Sequence, residues 1–104
     1  MIIQINTDGN IEGKTELTEQ IETDVTDGLE HYGDRITRVE LHLSDENSDK
    51  KSGTQDIRCL LEARLTGLQP LAVSDTATST EQAVAGAIEK LKRSLDSTLG
   101  RLDR

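Results

Sequence analysis

The chain has 104 residues, a formal net charge of −8, one tyrosine, no phenylalanine or tryptophan, and a single cysteine, Cys59. That length suits one domain, 1–104, with a modest core that Ile, Leu, Val and Ala must fill. A disulfide framework and a cysteine-based zinc site are excluded, and stacking of bases on aromatic platforms is essentially closed off.

Met1 to Asn6 (MIIQIN) is a β-branched run ended by the turn pair Asp8-Gly9, and predicts a first strand. Thr15 is placed to cap a helix from about Glu16 to Tyr32, with an apolar stripe of Leu17, Ile21, Val25, Leu29 and Tyr32. Its other face carries Glu16, Glu19, Thr23, Asp27 and Glu30. Thr23, Asp24, Thr26, Asp27 and Gly28 are poor helix formers, so packing rather than propensity must hold this helix. Gly28 falls on the apolar side, where it leaves room for a neighbour to approach closely.

Gly33-Asp34 ends the helix, and Ile36 to Ser44 alternates, with Val39, Leu41 and Leu43 opposite Arg38, Glu40 and His42. Asp45 to Thr54 is wholly polar and reads as a mobile connection. Asp56 to Thr66 alternates again, turning Ile57, Cys59, Leu61, Ala63 and Leu65 inward and Arg58, Leu60, Glu62 and Arg64 mostly outward. Gly67, Gln69 and Pro70 mark a hairpin turn before a short strand, Leu71 to Ser74.

The last third, Thr78 to Leu102, is the most periodic stretch. Thr78 and Ser79 stand three residues before Glu81 and Gln82, the spacing of a capping box. Val84, Ala87, Ile88, Leu91, Leu95, Leu99 and Leu102 then recur at helical steps. On the side away from this stripe, Lys90, Arg93, Ser97, Arg101 and Arg104 line up, with Lys92 at the edge of the buried face. Such a ridge can follow a phosphate backbone; it is also how a solvated face near a helix C-terminus looks. Residues 1–33 hold eight acids and one base, and residues 76–104 hold four acids and five bases, so the molecule is polarised.

The order β-α-β-β-β-α predicts an α+β fold of two layers: a four-stranded sheet with both helices on one face and the other face open to solvent. The last three strands form an antiparallel meander, and the first returns across the helix to pair in parallel. His31, His42 and Cys59 have no metal-ligand spacing, and no phosphate loop, dinucleotide fingerprint or nucleophile elbow occurs. We therefore expect no metal, no cofactor, no small-molecule substrate and no enzymatic activity. No apolar run suits a bilayer, and MIIQINTDG lacks the regions of a signal peptide, so no membrane association and a cytoplasmic setting are expected.

Three stretches, ITRVELHLSDEN at Ile36 to Asn47, IRCLLEARLTGLQPLAV at Ile57 to Val73 and AVAGAIEKLKRSL at Ala83 to Leu95, occur in the order and spacing of one family. The sequence resembles the ribosome hibernation-promoting factors, also called ribosome-associated inhibitors or sigma-54 modulation proteins. The resemblance implies a fold similar to double-stranded-RNA-binding domains, and binding to ribosomal RNA of the small subunit near the decoding region, where such factors idle translation. A chain ending at Arg104 looks like the short type. The RNA contacts carried over are Lys90, Lys92 and Arg93, joined by Arg101 on the same ridge and by Arg35, Arg38, Arg58 and Arg64 on strands or strand ends. Where the family has bases in the first helix, this chain reads TDVTDGLEHY. The alternative reading is therefore an interaction module whose acidic first helix takes a basic protein partner.

Overall fold

The computed structural model describes residues 1–8, 14–45 and 56–102, apart from the side chains of Lys14, Arg101 and Leu102. Strand β1 (Ile2–Thr7) leads to helix α1 (Lys14–Leu29), a short 3-10 segment (Glu30–Arg35), strands β2 (Ile36–Asp45), β3 (Ile57–Leu65) and β4 (Leu71–Ala77), and helix α2 (Thr80–Leu102). The sheet has four strands in the order β1-β2-β3-β4. β1 runs parallel to β2, while β2–β3 and β3–β4 are antiparallel. This is the α+β arrangement that the periodicities imply. The connection at 46–55 and the Asp8-Gly9 turn lie wholly or partly outside the described residues.

The core is one aliphatic cluster between the helices and one face of the sheet. Ile57, Cys59, Leu61, Ala63 and Leu65 of β3 all point into it, as do Val39, Leu41 and Leu43 of β2. Ile21, Val25 and Leu29 come down from α1, and Val84, Ala87, Ile88, Leu91, Leu95 and Leu99 from α2. No polar or charged side chain is buried among the described residues. Hydrophobic burial is therefore the main force between the layers, at roughly 25 cal/mol per Å² of apolar surface removed from water.

Four local differences from the expected elements have physical causes. Helix α1 begins at Lys14, which puts Thr15 inside its first turn rather than at its cap. The α-helical part ends at Leu29, and a 3-10 segment carries Tyr32 into the core before Gly33 (φ 58°, ψ −132°) turns the chain out. Strict alternation along β2 would bury Thr37. Instead, a β-bulge between Ile36 and Arg38 turns Ile36 inward opposite Leu65 and leaves Thr37 exposed. Finally, β4 continues past Ser74 to Ala77, because β3 is an inner strand whose backbone groups on that side pair as far as Ile57–Ala77.

The start of α2 follows its sequence signal. The Ser79 Oγ accepts from the Gln82 N–H at 3.2 Å, and the Thr78 hydroxyl bonds the Gln82 Oε1 at 2.9 Å. Two glycines let elements approach closely. A Cβ on Gly28 would lie 2.8 Å from Ile88 Cγ2, so α1 and α2 meet there only because α1 lacks a side chain. A Cβ on Gly86 would overlap the carboxylate of Asp75, which β4 directs beneath α2.

Leu61, fully buried on an inner strand, is the position at which truncation should cost most cleanly. Leu61→Ala is expected to remove about 2–5 kcal/mol of stability. The measurement is the urea midpoint followed by circular dichroism, and an unchanged midpoint would contradict the packing described here.

Candidate nucleic-acid interface

The side chains expected to contact RNA divide between two surfaces. Arg38, Arg58 and Arg64 stand on the open face of the sheet with Glu40, His42 and Glu62, because each lies one residue out of phase with the buried set. Lys90, Lys92 and Arg93 stand on α2, in the other layer. Arg101 occupies the last turn of α2, and its side chain lies outside the described residues. Arg35 closes the 3-10 segment at the end of the sandwich, beside a depression lined by His31, Tyr32, Asp96, Leu99 and Gly100.

On the sheet face most cations already have protein partners. The Arg38 Nε sits 3.0 Å from Glu40 Oε1, and its Nη2 donates to the Gln4 Oε1 on the neighbouring strand. Arg64 Nε is 3.8 Å from Glu62 Oε1, and His42 Nε2 is 4.0 Å from Glu40 Oε2. These pairs are partly exposed, where an ion pair contributes about 0–1 kcal/mol, so a phosphate can compete for the arginines. Arg58, exposed opposite Ser44 and Thr76, makes no ion pair among the described residues.

The α2 ridge is equally divided. Arg93 is exposed and makes no ion pair among the described residues. Lys92 reaches Glu89 at 3.7 Å, one turn back. Lys90 reaches across to β4, where its Nζ is 2.9 Å from Asp75 Oδ1 and donates to the Ser74 carbonyl oxygen at 2.9 Å. Sequence reasoning missed Asp75 by placing it in the connection after a shorter strand. The available signal was the continued alternation Leu71, Val73, Asp75, Ala77, which puts Asp75 on the helix-covered side.

Between α1 and α2 runs a groove whose lining includes Asp24, Asp27, Glu81 and Glu89 around Ala85 and Ile88. Gln20 Nε2 donates to Asp24 Oδ1 there at 2.9 Å. The helical layer thus carries an acidic groove as well as a basic ridge.

The described residues contain no group of three or more His, Cys, Asp or Glu side chains placed to hold a metal ion. Tyr32, the only aromatic residue apart from the histidines, is consumed by packing. Its hydroxyl lies 2.7 Å from Asp96 Oδ1 and 3.3 Å from the Lys92 carbonyl oxygen, and the His31 ring lies 4.0 Å from its own. Burial, reinforced by the Asp96 carboxylate, pushes its phenol well above the usual tyrosine range. Cys59 is fully buried; burial first, and the Asp75 charge second, push its thiol from 9.0 up to about 12. No helix among the described residues is long and apolar enough to cross a membrane.

Residues 3–103 match a family model described as sigma 54 modulation protein / S30EA ribosomal protein. A ribosomal subunit interface protein from Coxiella burnetii superposes with a TM-score of 0.74 at 15% identity, over 96% of this chain and 99% of that one. The N-terminal domain of Protein Y from Thermus thermophilus gives a TM-score of 0.74 at 17% identity, over 94% and 99%. At these identities the likeness is one of fold. No curated protein matches the chain.

The Cys59 environment yields a pH dependence. The folded state keeps the thiol proton that the unfolded chain releases above about 9.0, so the stability from this group is present below that pH and lost as pH rises toward 12. Ellman's reagent at pH 8 should react with native Cys59 at least about tenfold more slowly than with the denatured chain. Cys59→Ala should flatten the fall in stability above pH 9.0. Rapid native labelling would contradict this burial.

Proposed function

We propose a function for this chain from one premise: it belongs to the sigma 54 modulation protein / S30EA ribosomal protein family. The family is one of ribosome-associated factors, and it is not known as a family of enzymes. The chain is read here as a single-domain hibernation factor of the cytoplasm that binds the small ribosomal subunit near the decoding region and blocks translation there. The observation that carries this reading is the match across residues 3–103, nearly the whole chain.

Charge must supply most of the RNA contacts, since the chain has no Phe or Trp and its one Tyr is buried. Arg58 and Arg93 meet phosphates first, because neither is held by an acid among the described residues. Arg38 and Arg64 on the sheet, Lys90, Lys92 and Arg101 on α2, and Arg35 at the end of the sandwich complete the contact set. These residues lie on both layers, which suits a domain seated in a cleft with RNA on more than one side. At about 0.1 M salt the Debye length is roughly 10 Å, so the acids of α1 are largely screened from phosphates beyond that distance.

A second reading is supported by the acidic groove. Asp24, Asp27, Glu81 and Glu89 together suit a basic protein segment laid between the helices. In that reading the family fold serves as a protein-interaction module, and ribosomes are dispensable.

Co-sedimentation of the purified protein with small ribosomal subunits separates the two. Three or four phosphate contacts should weaken binding by about one to two orders of magnitude between 50 and 200 mM salt. Arg58→Glu combined with Arg93→Glu should cost about tenfold or more at fixed salt. No sedimentation at the lowest salt, with capture of a basic protein that depends on Asp24 and Asp27, would favour the second reading.

A further inference from the structure

We infer that Asp75 is an internal competitor for phosphate: it masks Lys90, the first base of the α2 ridge, and thereby lowers the affinity of the chain for RNA. This inference rests on the ribosome-binding reading and deepens it.

The arrangement is built from two elements. Asp75 lies on β4 opposite Cys59, on the side of the sheet covered by α2, and its side chain is 23% exposed. Lys90, 49% exposed, extends from α2 to the sheet edge and meets both Asp75 Oδ1 and the Ser74 carbonyl oxygen at 2.9 Å. Two of its three ammonium hydrogens are therefore directed into the protein. The carboxylate reaches this place because position 86, directly above it, is glycine. An alanine there would favour the helix by about 1 kcal/mol, yet its Cβ would occupy the space of the Asp75 carboxylate.

A carboxylate offers an ammonium the same things a phosphate does, a negative charge and oxygen acceptors at hydrogen-bond distance. With the pair in place one ammonium hydrogen stays free and the Lys90 charge is offset by the carboxylate, so full engagement of a phosphate requires exchange with Asp75. Arg93, three residues on and without an ion pair among the described residues, has no such competitor. The ridge accordingly meets RNA unopposed at Arg93 and against the Asp75 carboxylate at Lys90. Because the pair is partly exposed, the exchange costs a modest factor, about two- to fivefold. Asp75 is a positioning residue in this scheme, acting through Lys90 without touching RNA.

Two variants open the mask by different routes. Asp75→Asn removes the charge, whereas Gly86→Ala displaces the carboxylate without changing the net charge of the chain. Both should bind small ribosomal subunits about two- to fivefold more tightly than wild type, with a salt dependence steeper by about one phosphate contact. The gain in Gly86→Ala, whose net charge is that of the wild type, separates unmasking from a mere change in net charge, and Lys90→Ala should cancel that gain when added to Gly86→Ala. Acetylation by an N-hydroxysuccinimide ester, read by mass spectrometry, tests the mask without ribosomes: Lys90 should react at least about twofold faster, relative to Lys92, in both variants. Equal Lys90 reactivity, or wild-type binding with no gain in either variant, would overturn the inference and leave the ribosome reading intact. Absence of binding by every protein would overturn both, even if the labelling rates differ.

Discussion

Everything in this molecule depends on burying the apolar stripes of two helices against a single face of the sheet. With one tyrosine and no other large aromatic residue, the core must be filled by branched aliphatic side chains, and these gain only from close contact. β3 is the clearest case: every second residue from Ile57 to Leu65 is buried, and the strand pairs on both sides. The helices can come close because Gly28 admits Ile88, while Gly86 leaves room between α2 and β4. Gly28, which looks unfavourable for a helix, is thus part of the means by which α1 packs.

The same constraint distributes the charges. Once one side of each layer is apolar, charged side chains are driven to the open sheet face, the outer helix faces and the rim, and Asp75, on the helix-covered side, is held there by Lys90. Arg38 and Arg64 come to lie beside Glu40 and Glu62 because residues two apart on a strand share a face. Acids of the two helices meet across their groove for the corresponding reason on the helical side. A net charge of −8 is therefore compatible with local cationic sites, and its sign alone describes none of these surfaces.

Much of the fold was legible because periodicity is a local property. The alternation in β2 and β3 and the three- and four-residue steps of α2 need no knowledge of neighbours, and they place the inner face correctly from Val39 to Leu43 and from Ile57 to Leu65. The extension of β4 was not legible, since Ser74, Asp75 and Thr76 have the composition of a loop and become strand only through pairing with Leu60, Cys59 and Arg58. The bulge at Thr37 was equally hidden, because the demand for it comes from Leu65 across the sheet. For the candidate interface, the sequence marks which residues are cationic and which face of α2 they share. It does not mark which cations are already engaged.

The sequence by itself thus determined the order of elements, the two-layer α+β fold, the single aliphatic core and the family, because these follow from spacing within segments and from motifs along the chain. Tertiary structure alone decided that Lys90 is tied to Asp75 and Ser74, that Tyr32 is bound to Asp96, and that the cations of the sheet and of α2 stand on different layers. Tyr32 and Asp96 are 64 residues apart, and Lys90 and Ser74 are separated by 16. An ion pair or hydrogen bond requires atoms within a few ångströms, and only packing brings such distant parts of the chain together.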